Sequence, residues 1–208
     1  GDGDRCLAVD ENGNEIDGDK IMAIISSSLR KKGKLAKDTI VATVMSNLGL
    51  NKYARDNGLE LLQTKVGDRY VLEEMLKDGF NLGGEQSGHV ILLDYNPTGD
   101  GILTSLMLIK SILEENKKAS QMAQMVKLYP QVLVNAKVNS EKKYEFKDDK
   151  EIKNAIDKLE KEFAGNGRVL IRPSGTEPLV RVMIEGEDQK YIQKKAEEIA
   201  KLIEAKLK

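Results

Sequence analysis

Between residues 15 and 115 the chain repeatedly changes its hydrophobic period, and this restricts the fold more than any other feature of the sequence. Short, nearly continuous apolar runs alternate with stretches in which apolar residues recur every three to four positions. The run Thr-Ile-Val-Ala-Thr-Val at 39–44 is β-branched almost throughout, the pattern of a strand buried on both faces. Ahead of it, Ile21, Ile24, Ile25 and Leu29 lie on one face of a helix predicted over 19–32. A helix from about Asn47, a strand over 59–64, a helix over 68–77 and a strand over 90–94 follow. Such alternation predicts an α/β domain with a largely parallel sheet. The segment 102–113 is apolar nearly all round, which predicts a buried helix. At the front, 5–9 reads as a short strand that turns at Asn12-Gly13.

After Pro130 the period changes to two. Val132, Val134, Ala136 and Val138 alternate with Leu133, Asn135 and Lys137, a half-exposed strand. A helix with Ile152, Ala155, Ile156, Leu159 and Phe163 on one face ends at Gly165-Asn166-Gly167. Strands over 168–172 and 179–185 and a last helix carrying Ile192, Ala196, Ile199 and Ile203 complete a small α+β unit with an antiparallel sheet. The expected organisation is a tail at 1–14, an α/β domain at 15–118, a linker at 119–130 and an α+β domain at 131–208.

Composition excludes some functions. Lys plus Arg number 33 and Asp plus Glu 34, so no net field gathers nucleic acid, and the absence of Trp leaves little to stack on bases. No apolar run is as long as a membrane span. Cys6 is the only cysteine, so no intramolecular disulfide forms, which fits a reducing, cytoplasmic setting. The chain opens at Gly1, without Met and inside a motif, so a piece of a longer protein is expected.

Three loops hold residue types that do chemistry. In Gly1-Asp2-Gly3-Asp4-Arg5, Asp2 and Asp4 on a glycine-flexed loop can converge on a hard divalent cation, and Arg5 suits a phosphate beside it. An exposed acidic terminus fits the same residues. Asp10, Asn12 and Asn14 imitate the start of an EF-hand, but Glu15 and Ile21 stand where that loop needs Gly and Glu, so calcium is excluded there. In the second loop, Glu85, Gln86, Ser87 and His89 lie among Gly83, Gly84 and Gly88, a mixture of donors and acceptors that suits a hydroxyl-rich ligand or a polar turn. In the third, Arg172 precedes Pro173-Ser174-Gly175-Thr176-Glu177-Pro178 and Arg181 follows. Ser174, Gly175 and Thr176 offer hydroxyls and backbone N–H groups, Arg172 a bidentate fork, and Arg181 points away from Val180 and Val182 toward the same loop. This pattern favours a phosphate over a stiff turn.

In order and spacing, these loops resemble those of the α-D-phosphohexomutase superfamily. Gly1 to Arg5 resembles its metal-binding loop, Gly84 to His89 its sugar-recognition loop, and Arg172 to Pro178 its phosphate-binding loop. Gly-Glu-Gln-Ser-Gly-His, Arg-Pro-Ser-Gly-Thr-Glu-Pro, Val66-Gly67-Asp68-Arg69-Tyr70-Val71 and Val44-Met45-Ser46-Asn47-Leu48-Gly49 are similar to the phosphoglucosamine mutase branch. The resemblance implies an isomerase that interconverts glucosamine 6-phosphate and glucosamine 1-phosphate on the route to UDP-N-acetylglucosamine and peptidoglycan. It implies a phosphoserine outside this chain, a bisphosphate intermediate, Mg2+, a homodimer at full length and a TBP-like last domain. The superfamily's metal loop carries a further aspartate before the position of Gly1, so the chain alone is expected to be inactive and a poor Mg2+ binder. A phosphoglucomutase or phosphomannomutase relative, or a phosphosugar-binding module without catalysis, are the competing readings.

Overall fold

In the computed structural model, which describes residues 3–208, the chain divides into two compact units, Gly1–Leu128 and Tyr129–Lys208.

The first unit opens with a hairpin of β1 (Ala8–Val9) and β2 (Glu15–Ile16). Its turn is closed by Asp10, whose Oδ1 accepts from the N–H groups of Asn12 and Asn14, both at 2.9 Å. Those donors, that of Asn14 foremost, hold the Asp10 carboxyl below its usual range. The EF-hand-like spacing is thus used by the turn itself. The strand expected over 5–9 pairs only at its last two residues.

Helix α1 (Gly18–Lys31) is capped by Asp17, whose Oδ1 accepts from Lys20 N–H at 3.1 Å. Strand β3 (Thr39–Thr43) is buried at every position, as its β-branched run predicts. Its neighbours are β4 (Glu60–Thr64) and β5 (Leu82–Gly84), both parallel to it, and β6 (Val90–Leu92) adds antiparallel to β5. Side chains alternate across β3. Ile40 and Ala42 join Ile21, Ile24 and Ile25 of α1 in a larger core, which also holds Leu50 and Tyr53 of α2 (Leu48–Asp56). Val41 faces a smaller core with Val71 and Met75 of α3 (Asp68–Asp78). The result is an α/β/α sandwich around a mixed, largely parallel sheet.

Two expectations fail here. Residues 83–84 read as a glycine-rich loop, yet they are strand β5. A β-carbon on Gly83 would lie 2.6 Å from Met75 Sδ and 2.8 Å from the Val41 carbonyl oxygen, so only glycine lets α3 and β3 approach that closely. Helix α4 (Gly101–Glu115), expected to be buried, buries only Thr104, Leu108 and Ser111 and turns a row of Ile and Leu outward. Composition around a helix shows how much apolar surface it has, not which face finds a partner. Within the stretch expected as a linker, α5 (Ala119–Ala123) forms, and Met122, Ala123 and Val126 are buried in the larger core.

The second unit is an antiparallel sheet with β9 (Leu179–Gly186) between β7 (Gln131–Lys137) and β8 (Gly167–Pro173). Helices α6 (Lys150–Phe163) and α7 (Gln189–Leu207) pack on it. The α7 residues Ile192, Ala196, Ile199 and Ile203 meet Val132, Ala136, Val180, Val182 and Ile184 of the sheet, as the helical and two-residue periods predict. Glu185, fully buried, is paired across the ladder with Arg168 at 2.6 Å, which keeps its charge compensated.

Candidate functional site

In the first unit, the loop after β5 is held by its own backbone. Glu85 N–H donates to the His89 carbonyl at 2.8 Å and Gly88 N–H to the Glu85 carbonyl at 3.0 Å. The carboxylate of Glu85 accepts from Gly67 N–H at 3.1 Å, which ties it to the turn before α3. Gln86 is tied to the other side. Its carbonyl accepts from Gly18 N–H at 2.9 Å, and its Nε2 donates to Asp17 Oδ2 at 3.2 Å. Ser87 stands exposed at the tip. Glu85, Gln86 and Ser87 line a cleft of about 900 Å³, together with Asp17, Lys20 and Thr43. That is the size of a small-molecule site, and its lining mixes hydroxyl, amide, carboxylate and ammonium groups.

The sequence reading passed over Asp17 and Lys20. Asp17 was legible as a helix cap, since it directly precedes the Ile21 and Ile24 repeat. Its second oxygen reaches Gln86 only because the fold joins residues 69 positions apart.

His89 lies beneath the loop. It is buried, with Nε2 3.8 Å from Asp68 Oδ2 and 4.0 Å from Asp4 Oδ2, and it carries a charge only when protonated. Asp4 also lies 3.8 Å from Arg5, whose side chain is mostly exposed. The other metal candidate, Asp2, lies outside the described residues. Among the described residues no three acidic, His or Cys side chains converge on a point where a cation could sit. Magnesium is commonly held by one or two carboxylates together with water and phosphate oxygens, and Asp4 is the described residue whose donor type suits that role.

In the second unit, the loop between β8 and β9 is braced at its base. Ser174 is buried. Its N–H donates to the Leu179 carbonyl at 2.8 Å, and its Oγ accepts from Glu177 N–H at 3.2 Å. Lys143, from a charged stretch that gave no signal in the sequence, donates to the Ser174 carbonyl at 2.9 Å. Gly175 and Thr176 form the exposed tip.

Arg172 and Arg181 face each other directly across the β8–β9 ladder. Like charges in that position repel. The Arg172 guanidinium is held below its ordinary pKa, first by burial and then by the Arg181 charge. Both Nε atoms are buried without an acceptor among the described residues, and Arg181 reaches one exposed carboxylate, Glu177, at 3.3 Å. Two adjacent guanidinium groups with unmatched Nε–H donors, beside an exposed Gly-Thr tip, are suited to an oxyanion.

Comparison with known proteins identifies the family. Residues 17–129 match the family model "Phosphoglucomutase/phosphomannomutase, alpha/beta/alpha domain III", and residues 133–202 match the model of the C-terminal domain of the same family. The chain is 60% identical over 207 residues to a phosphoglucosamine mutase of Ruminiclostridium cellulolyticum, covering 100% of this chain and 46% of that relative. It is 59% identical to one of Caldicellulosiruptor bescii, with the same coverage. It therefore spans about half the length of the curated relatives it matches. Among solved structures, Aspergillus fumigatus N-acetylphosphoglucosamine mutase shares the fold, with a TM-score of 0.79 at 22% identity, over 99% of this chain and 47% of that one. The same mutase in complex with GlcNAc-6P and magnesium gives 0.75 at 21% identity, over 99% of this chain and 47% of that one. Two consecutive domain models thus account for nearly all of the two units, and the chain belongs to the phosphoglucomutase/phosphomannomutase family.

Proposed function

We propose that this chain is the later half of a phosphoglucosamine mutase, an intramolecular phosphotransferase that interconverts glucosamine 6-phosphate and glucosamine 1-phosphate. The observation that carries the reading is identity of 60% over 207 residues to an enzyme of that name. In this reading Glu85, Gln86 and Ser87 bind sugar hydroxyls and the amino group, with His89 beneath them. Arg172, Arg181 and the Ser174-Gly175-Thr176 tip hold the phosphate that is not reacting, and Arg5 lies beside the reacting one. A phosphoserine in the part of the relatives that this chain does not cover gives its phosphoryl group to the sugar phosphate. The bisphosphate then returns its other phosphoryl group to the serine, so phosphate is conserved over a cycle. Holding the non-reacting phosphate fixes the reacting oxygen in line, which is most of what phosphoryl transfer asks of a protein. When bound, Mg2+ supplies charge neutralisation near the phosphoserine; Asp4 and Asp2 are this chain's candidates for holding it. These residues alone bind but do not turn over, and the setting is cytoplasmic.

Titration calorimetry of the full-length polypeptide with glucosamine 6-phosphate and glucose 6-phosphate tests this. Both are expected to bind, the amino sugar more tightly. Preference for glucose or mannose phosphates would shift the reading to the phosphoglucomutase and phosphomannomutase side. Binding without turnover would mark a phosphosugar-binding module, and no binding at millimolar ligand would remove the reading altogether.

Glu85→Gln keeps an acceptor for Gly67 N–H but loses the charge that strengthens a bond to a sugar hydroxyl. Charged hydrogen bonds are roughly twice as strong as neutral ones, so turnover is expected to fall about tenfold in both directions. Steady-state rates from each phosphate isomer measure it, and a loss in one direction only would show that Glu85 does not hold the sugar in both orientations.

A further inference from the structure

Asp17 has one oxygen more than its place in the chain requires. As the cap of α1 it uses Oδ1, which accepts from Lys20 N–H at 3.1 Å. Ser or Asn would cap the helix as well. Its other oxygen, Oδ2, accepts from Nε2 of Gln86 at 3.2 Å, at the wall of the cleft.

That contact decides how Gln86 meets a ligand. A glutamine amide has nearly the same shape either way round, with donors on its nitrogen and an acceptor in its oxygen. An ionised carboxylate only accepts, so the amide nitrogen faces Asp17; the flipped amide would set oxygen against oxygen. The Gln86 backbone is pinned by Gly18 N–H at 2.9 Å, which leaves only side-chain torsions for Asp17 to fix. With Nε2 turned to Asp17, Oε1 is left over, and no described residue donates to it. Gln86 lines the cleft, so this acceptor is what its side chain offers a ligand there.

An acceptor selects for donors. An ammonium group has donors only and is charged, whereas a hydroxyl is neutral, and a charge-assisted hydrogen bond is roughly twice as strong as a neutral one. The charge of the cleft acts in the same direction. Among the described residues of its lining, Glu15, Asp17 and Glu85 stand against one cation, Lys20, whose Nζ donates to the Glu15 carbonyl at 2.8 Å. A wall with an excess of carboxylates favours a cationic sugar over a neutral one of the same shape.

We propose that Asp17 is a positioning residue for amino-sugar selectivity: by accepting from the Gln86 amide nitrogen it aims Oε1 at the ammonium group of the substrate. This rests on the reading of the cleft as the sugar site of a mutase.

Asp17→Asn in the full-length polypeptide tests it. Asn keeps the cap with its one oxygen but sets a donor where the Gln86 amide needs an acceptor, so the amide turns and presents Nε2 to the cleft. The ratio of kcat/KM for glucosamine 6-phosphate to that for glucose 6-phosphate is expected to fall by about tenfold or more, nearly all of it on the amino sugar. Asp17→Asn combined with Gln86→Glu restores a donor behind and an acceptor in front, and is expected to recover part of the ratio. An unchanged ratio in Asp17→Asn, an equal loss on both sugars, or a double variant no more selective than the single one overturns the proposal. The urea midpoint of Asp17→Asn is expected to match that of the parent. Should it fall, Asp17→Ser, which caps through a hydroxyl too short to reach Gln86, is expected to show the same loss of selectivity. The parent separates this inference from the reading beneath it. A parent with no preference for the amino sugar removes both, whereas a selective parent with an equally selective Asp17→Asn removes this inference alone.

Discussion

Arg172→Ala in the full-length polypeptide is expected to weaken phosphosugar binding about 10- to 150-fold while leaving the second unit as stable as before, or more so. The two effects have separate origins. A hydrogen bond to a charged group contributes roughly 1.5–3 kcal/mol, and 1.4 kcal/mol is a factor of ten in affinity. Stability moves the other way because Arg172 sits directly opposite Arg181 on the β8–β9 ladder, where like charges repel. Burial and the Arg181 charge both already hold the Arg172 guanidinium below its ordinary pKa, so its charged form is disfavoured in the absence of an anion. A residue kept for packing would behave oppositely, losing stability and leaving affinity untouched. Michaelis constants for both phosphate isomers, read beside urea unfolding of the 208-residue chain, separate the cases. Arg172→Lys is expected to recover part of the affinity, since it restores the charge but not the planar fork. An unchanged Michaelis constant in Arg172→Ala would remove the phosphate role.

Gly18→Ala is expected to destabilise the first unit by about 1–3 kcal/mol and to loosen the sugar-side loop. Helix propensity alone gives the opposite sign, because Ala is better than Gly in a helix by about 1 kcal/mol. Packing decides the sign. A β-carbon at Gly18 would lie 2.0 Å from the Glu85 carbonyl oxygen and 2.9 Å from Gly88 N. Both are backbone atoms, so no side chain can swing away to make room. Gly18 N–H also donates to the Gln86 carbonyl, and relief of the clash pulls on that bond and on the Asp17–Gln86 contact beside it. Gly175→Ala is the control for stability: its β-carbon meets nothing within 4 Å, so it is expected to stay within roughly 0.5 kcal/mol of the parent. Urea midpoints of the three proteins decide the matter. If Gly18→Ala unfolds at or above the parent midpoint, α1 does not abut the loop as described.

Much of this protein is legible in one dimension. The nearly continuous β-branched run at 39–44 reads as a strand buried on both faces because its consecutive apolar residues Ile40, Val41 and Ala42 fall on both sides of a two-residue period. The helical repeats at 19–32, 150–163 and 189–207 read as helices because their apolar residues fall on one side of a 3.6-residue period. The two-residue alternation after Pro130 marks the second sheet, and Asp17 reads as a cap from its place before the repeat. The glycine, hydroxyl and arginine content of the loops at 84–89 and 172–178 identifies what kind of ligand they suit, because donor type is a property of the residue alone.

Partners and faces were decided in three dimensions. Sequence propensity disfavours Gly83 and Gly84 in a strand, yet both lie in β5, where a side chain at Gly83 would meet Met75 and the β3 backbone and one at Gly84 would meet the His89 and Val90 backbone. Alternation puts Arg181 opposite the valines, but only the register of β8 on β9 sets it against Arg172. Asp17 and Gln86 meet because the sheet brings the start of α1 to the loop after β5. In α4, the sequence determined an apolar surface all round, and the tertiary structure packed Leu103, Met107, Leu108 and Ile112 inward while leaving Ile102, Leu106, Ile109 and Leu113 exposed. Burial depends on which surface a neighbour covers, and a linear pattern records only what each residue would gain if it were covered.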